Sequence, residues 1–197
     1  MNSDIARKIL NNMSLTDDEV NIFLCFLCNL IREDSQIFDP MNPDCKACFD
    51  TTIKFNRTVL LRFGCNVGIL DIKKELQIPL THYASFISLN VNGDMKTYLV
   101  DMTYSQFFSD TITLDGDREN CGEVVSTQNV FGKMENELFV YQLRQKGFIE
   151  LNGDILKKYI DAFLNLCGVK NKEQAYYNIN NLLAKSGFGS EIKTNVK

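Results

Sequence analysis

The hydrophobic and polar positions in the middle of the chain follow the period of a β-strand. Residues 82–91 alternate apolar and polar side chains, and residues 96–101 resume strand-forming residues after Asn92 and Gly93. An Asn-Gly pair between two such runs indicates a hairpin with a type I′ turn, because both central residues of that turn need a positive φ. The pattern therefore predicts two antiparallel strands joined by a tight turn.

Helical periodicity flanks this hairpin on both sides. A capping box of Thr16 and Glu19 begins the clearest of these helices, and Gly64, Gly147 and Gly168 are the expected C-terminal stops of three others. An additional strand is predicted over residues 65–72. The predicted helices are 4–12, 16–32, 48–63, 134–146, 154–167 and 172–185.

These elements predict an α+β fold, in which a small antiparallel sheet packs on helix 48–63 and helices from both termini surround it. A length of 197 residues suits one domain, here 1–185, with 1–43 and 109–185 flanking a central part, 44–108. Residues 110–132 show no clear period and are predicted to form a long surface loop. The polar tail 186–197 is predicted to be mobile.

Candidate chemistry lies in the central part of the sequence. If Asn92 and Gly93 are the central turn residues, His82 and Asp101 share one face as diagonal neighbours, about 7–8 Å apart at their α-carbons. Cys48 lies in the first turn of a helix, where the helix dipole and free backbone N–H groups favour a thiolate. We therefore predict a Cys–His–Asp site in which Cys48 is the nucleophile, His82 the base and Asp101 the group that orients His82.

The same segments resemble the papain-like and transglutaminase-like cysteine enzymes. In that family a Cys begins a helix that ends in a Leu-Leu-Arg segment, a His begins a strand, and the paired strand ends in Val-Asp-Pro-Thr. Here Cys48, residues 60–64, His82 and Asp101 match these features, with Met102 in place of the usual Pro. The resemblance implies a papain-like fold and a protease, glutamine deamidase or transglutaminase acting on a protein. Some bacterial members are effectors delivered into other cells, which implies a similar role here.

Three further residues are candidates for substrate binding. Asn42 lies six residues before Cys48, a spacing at which papain-like enzymes often carry an oxyanion-hole amide, although an Asn before Pro43 also suits a turn. Tyr104 and Gln106 follow the hairpin, in a region that borders the substrate cleft in the related enzymes. Packing in the core would explain Tyr104 equally well.

The spacing of the cysteines suggests an alternative hypothesis in which the protein is not an enzyme. Cys25, Cys28, Cys45 and Cys48 form two C-x-x-C pairs separated by sixteen residues, a spacing that formally matches a four-cysteine zinc site. On this hypothesis the protein is a non-enzymatic helical interaction module stabilised by zinc. The location of the first pair inside an apolar helix disfavours it, because buried Cys commonly packs as a small hydrophobic residue. Cys45 and Cys48 could also form a redox pair, and Cys45 is the alternative nucleophile.

Composition narrows the classes of partner and compartment. The net charge of −4 and the absence of a basic stripe argue against nucleic acid as the main partner. The resemblance to the cysteine enzymes implies a protein substrate, and we expect no cofactor. The longest apolar run is too short to span a membrane. Seven cysteines at irregular positions and no signal peptide predict a reducing compartment, either the cytoplasm or the cytosol of a host or target cell.

Overall fold

The computed structural model describes residues 3–35, 46–116, 122–188 and 192, which form a mixture of helices and short antiparallel strands. The elements in sequence order are α1 (Ser3–Leu10), α2 (Asp17–Ser35), α3 (Lys46–Phe63), β1 (Val67–Asp71), α4 (Ile72–Leu76), β2 (Tyr83–Val91), β3 (Asp94–Val100), a 3₁₀-helix (Tyr104–Phe108), β4 (Thr111–Thr113), β5 (Val124–Ser126), a π-helical turn (Gln128–Gly132), α5 (Leu138–Lys146), β6 (Phe148–Glu150), α6 (Gly153–Leu166) and α7 (Glu173–Lys185). The α+β class is therefore confirmed.

The hairpin has the predicted turn and register. Asn92 and Gly93 have φ values of +53° and +94°, as a type I′ turn requires. Val91 pairs with Asp94, and the ladder continues in the same register to the far end of β3. Because the turn determines this pairing, it also determines which residues meet at the opposite end of the hairpin.

The hairpin forms the centre of a four-stranded antiparallel sheet with the order β1-β2-β3-β6. Both faces of this sheet are covered. Along β2, Ala84 and Phe86 pack among the C-terminal helices, whereas Ile87 and Leu89 pack among α1, α2 and α3. Alternate side chains of β2 therefore enter two different hydrophobic clusters, one on each face of the sheet. They do not divide into a buried set and a solvent-exposed set.

The N-terminal helices begin as their sequence predicts. The capping box of α2 is formed, with the Glu19 N–H donating to Thr16 Oγ1 at 3.2 Å and the Thr16 N–H donating to Glu19 Oε2 at 2.9 Å. α3 ends at Gly64, whose φ of +64° is the left-handed conformation expected after a helix C-terminus. α3 packs against β1 and β2 and thereby places its first turn beside the start of β2.

Two predictions for the C-terminal part need correction. The segment 110–132 is not simply a surface loop, because β4 and β5 pair within it and Phe131 is fully buried. The segment 186–197 is not wholly a mobile tail, because Phe188 and Ile192 are buried against the core. Among the residues that the structure describes, no helix is both long and apolar enough to cross a membrane.

Candidate active site

The first turn of α3 carries Cys48, two residues after the helix begins at Lys46. A hydrogen bond fastens this end of the helix to the sheet, since Thr52 Oγ1 donates to the Tyr83 carbonyl oxygen at 3.2 Å. Cys48 itself is fully buried, and its thiol hydrogen-bonds with His82. The helix start and the strand start therefore bring a thiol and an imidazole together.

His82 and Asp101 meet at the end of the hairpin away from the turn. His82 directly precedes β2 and Asp101 directly follows β3, so the register places them as diagonal neighbours. Their side chains are in contact, with His82 Nε2 2.7 Å from Asp101 Oδ2. The structure thus brings together the three residues, Cys48, His82 and Asp101, that the sequence analysis singled out.

Both oxygens of the Asp101 carboxylate accept hydrogen bonds. Oδ2 accepts from His82 Nε2 and from the Tyr159 hydroxyl, each at 2.7 Å. Oδ1 accepts from the backbone N–H and the hydroxyl of Thr103, each at 3.2 Å. A buried carboxylate that accepts from this set of donors is held in one position.

The ring of His82 lies in an aromatic box that the sequence analysis did not predict. Phe163 stacks on it with ring centroids 5.5 Å apart, and Phe107 meets it edge-on at 4.8 Å. Tyr159 and Phe163 belong to α6, where their helical spacing identified them only as core residues. No local signal in the sequence pairs α6 with the hairpin. The contacts of Phe163 with His82 and of Tyr159 with Asp101 could therefore not be predicted from the sequence.

Opposing influences act on the protonation of His82. Burial alone lowers the pKa of the ring, because it disfavours the charged form. The charge and hydrogen bond of Asp101, together with Cys48, outweigh burial and raise the pKa of His82 well above its ordinary 6.5.

The carboxamide of Gln106 contacts the other nitrogen of the His82 ring. Its Nε2 lies 3.0 Å from His82 Nδ1, and the residue is half-buried, whereas His82 and Cys48 have no exposed surface. The substrate-binding prediction therefore has three different outcomes. Gln106 lies at the site, Tyr104 is fully buried among aromatic rings as the packing alternative predicts, and Asn42 lies outside the described residues.

The cysteines of the alternative zinc hypothesis that the structure describes have different neighbours. Cys28 is buried in the N-terminal hydrophobic cluster, and Cys48 contacts His82. Cys45 lies outside the described residues, and among the described ones no group of three or more His, Cys, Asp or Glu side chains is placed to hold a metal ion. The described residues therefore give the zinc hypothesis no support, and it stays untested because Cys45 lies outside them.

The raised pKa of His82 predicts a pH-dependent stability. The folded protein holds this proton more tightly than the unfolded protein, so its stabilising contribution is fully present below pH 6.5 and is lost as the pH rises through the raised pKa. We expect the free energy of unfolding to fall more from about pH 6 to about pH 9 in the wild type than in Asp101→Asn. Urea unfolding at a series of pH values measures this difference, and parallel profiles would contradict it.

A buried thiol, an imidazole and a hydrogen-bonded carboxylate in this order form the arrangement that nucleophilic cysteine chemistry requires. The carboxylate contacts Nε2 of the ring, and the carboxamide of Gln106 contacts Nδ1. Comparison of the sequence and the fold with protein-family models, with curated proteins and with solved structures finds no match.

Proposed function

We propose that this protein is a cysteine-dependent acyl-transfer enzyme that acts on an amide bond of a protein substrate. The observation that carries the proposal is the buried series of contacts from Cys48 through His82 to Asp101. Its order along the sequence and its placement on a helix start and a hairpin are similar to those of the papain-like and transglutaminase-like enzymes. We therefore propose that the fold is a variant of theirs.

The proposed first half-reaction forms a thioester. Because Nε2 of His82 is engaged by Asp101, Nδ1 takes the proton of the Cys48 thiol, and the sulfur attacks the amide carbonyl carbon. The backbone N–H of Cys48 stabilises the oxyanion that develops. The C–N bond then breaks as the leaving nitrogen takes the proton from Nδ1.

The second substrate determines the product. Water gives up a proton to Nδ1 as it adds to the thioester, the C–S bond then breaks, and the Cys48 sulfur is restored as the acid leaves, which is the outcome of proteolysis or deamidation. A primary amine in place of water forms a new amide, which is transglutamination. All three reactions use the same thioester, so Cys48, His82 and Asp101 support each of them equally.

Alkylation of Cys48 tests the proposed pair of thiol and base. The protein is treated with limiting iodoacetamide, and each cysteine is quantified by peptide mass spectrometry in the wild type and in His82→Ala. We expect Cys48 to react about 100-fold more slowly in His82→Ala, the lower end of what a positioned base contributes. Cys25, which is partly exposed on α2, serves as the internal control and should react at the same rate in both proteins.

Equal alkylation of Cys48 in the two proteins would remove His82 from the mechanism and leave the proposal without a base. In that case, metal analysis of the purified protein would test the zinc-stabilised module. Mass spectrometry of candidate protein substrates then separates the three reactions, because cleavage, deamidation and cross-linking leave different mass changes.

A further inference from the structure

Helix α6 contributes two side chains to the surroundings of His82 and Asp101. Tyr159 donates its hydroxyl to Asp101 Oδ2 at 2.7 Å, and Phe163, one turn later, stacks on the ring of His82. Phe163 makes an apolar contact. The hydroxyl of Tyr159, by contrast, meets a charged oxygen that takes part in the proposed mechanism.

The ring of Tyr159 is held in place. The residue is fully buried, and its ring centroid lies 5.0 Å from that of Phe163 and 5.5 Å from that of Tyr104. Burial and the charge of Asp101 raise the pKa of the Tyr159 hydroxyl well above the ordinary value of a tyrosine. The hydroxyl therefore keeps its proton at neutral pH and faces Asp101 as a fixed donor.

Tyr159 and His82 donate to the same oxygen atom of Asp101, each at 2.7 Å. The other oxygen, Oδ1, accepts from Thr103, which holds the carboxylate from its far side. Hydrogen bonds that involve an ionised group are about twice as strong as those between neutral groups. Because a protonated His82 offsets the charge of Asp101 and a neutral His82 does not, the hydrogen bond from Tyr159 is stronger when the ring is neutral.

The proposed reaction makes the ring of His82 neutral. As the C–N bond breaks, the leaving nitrogen takes the proton from Nδ1, and the ring changes from a cation to a neutral donor. The other two hydrogen-bond partners of Asp101, Tyr159 and Thr103, are themselves neutral. Asp101 then carries a buried negative charge that no cation offsets, and such a charge is costly unless hydrogen bonds stabilise it.

We propose that Tyr159 is a positioning residue of this site, and that its hydroxyl stabilises the charge of Asp101 when His82 gives up its proton. This inference rests on the function proposed above and adds a residue to its mechanism. No proton passes between Tyr159 and Asp101, because the hydroxyl remains the donor and the proton of Nδ1 goes to the leaving nitrogen. Tyr159 thus acts through Asp101 and needs no contact with the substrate.

The titration of His82 measures the same change of charge, with water in place of the leaving nitrogen. His82 is the only histidine of the chain, so the nuclear magnetic resonance signals of isotopically labelled histidine belong to it alone. Although burial lowers the pKa of His82, Asp101 and Cys48 raise it to about 10. We expect the midpoint in Tyr159→Phe to lie about one pH unit above that of the wild type. That is a tenfold change in the equilibrium, or about 1.4 kcal/mol, close to the contribution of one hydrogen bond.

The other groups that act on this titration are unchanged in Tyr159→Phe. Cys48 faces His82 from α3, and Tyr104 faces Asp101 from the 3₁₀-helix. Glu137, which precedes α5, acts in turn on Tyr104. A shift of the midpoint in Tyr159→Phe therefore reports the lost hydroxyl.

Tyr104→Phe is the matched control. The Tyr104 hydroxyl is fully buried in the same cluster of rings, but it has no hydrogen-bond partner among the residues that the structure describes. Its removal leaves all hydrogen bonds of Asp101 in place, so the midpoint should stay close to that of the wild type. An equal rise in Tyr104→Phe would attribute the shift to repacking of the rings and would overturn the inference.

A stronger donor at position 159 should shift the midpoint in the opposite direction. A fluorinated tyrosine at this position keeps the ring, and its more acidic hydroxyl donates a stronger hydrogen bond. The midpoint of this protein should therefore lie below that of the wild type, and a midpoint at or above the wild-type value would contradict the inference. This measurement decides the question even if Tyr159→Phe does not fold.

The outcomes also separate this inference from the function on which it rests. If alkylation of Cys48 depends on His82 but the midpoint in Tyr159→Phe is unchanged or lower, the role of Tyr159 is wrong and the proposed function stands. If iodoacetamide alkylates Cys48 equally in the wild type and in His82→Ala, the proposed function fails. The role of Tyr159 in the reaction then fails with it, whatever the titration gives.

Discussion

Replacing Asp101 with alanine is expected to lower the free energy of unfolding by about 3–5 kcal/mol, the usual cost of removing one partner of a buried charged pair. The carboxylate is only 1% exposed and accepts four hydrogen bonds, two of them from the buried donors of His82 and Tyr159. Alanine cannot accept any of them, so these two donors lose their partner where water does not reach. Leaving buried donors unpaired costs far more than the hydrogen bonds contribute when made.

Two further variants show how much of the lost stability comes from the charge of Asp101 and how much from its hydrogen bonds. Asp101→Asn keeps the shape and one acceptor oxygen but removes the charge, so its loss of stability should be smaller than that of Asp101→Ala. Tyr159→Phe removes a single donor and leaves His82 paired, so it should cost about 1 kcal/mol. Urea unfolding measures all three variants. A loss below about 1 kcal/mol in Asp101→Ala would mean that this network does not stabilise the fold.

The contacts within the hairpin could be predicted because a single local turn determines them. Asn92 and Gly93 both need a positive φ, and once they are placed at the turn, every pair along β2 and β3 follows. His82 and Asp101 therefore meet without any information about the remainder of the fold. The position of Cys48 followed in the same way, from the start of one helix.

The residues that surround His82 could not be predicted, because they come from elements distant in sequence. Phe163 and Tyr159 carry only the helical period of α6, and that period shows that they are buried but not what they contact. Tyr104 was a candidate for substrate contact because of its place after the hairpin, with packing in the core as an equal alternative. Its aromatic contacts with Phe107, Tyr159 and neighbouring rings instead make it part of the core.

The burial of Phe188 and Ile192 was not predicted because the composition of this segment is polar and its apolar residues are few. The ring of Phe188 lies so close to Gly68 that a Cβ at that glycine would stand 2.7 Å from it. A glycine inside a strand often marks such a close approach, so Gly68 was the signal that could have indicated a docked segment. Nothing in the sequence, however, identifies Phe188 as the residue that docks there.

Replacing Phe163 with alanine is expected to lower the free energy of unfolding by about 3–5 kcal/mol and also to slow the alkylation of Cys48. Phe163 is fully buried, stacks on His82, and contacts the rings of Phe107, Phe131 and Tyr159 at centroid distances of 4.9, 5.6 and 5.0 Å. The substitution leaves a cavity against one face of the imidazole. The ring then has room to move away from the thiol.

The matched variant Phe163→Leu separates packing from positioning. Leucine retains most of the apolar contact but has no ring face to lie against His82, so it should cost less stability than alanine. If Phe163 positions the base, alkylation of Cys48 in Phe163→Leu should slow while that of Cys25 stays unchanged. Both rates can be measured on the same sample by peptide mass spectrometry, at a temperature where each variant is folded. An alkylation rate of Cys48 equal to that of the wild type in both variants would mean that Phe163 contributes packing alone, and that Asp101 is sufficient to hold the ring.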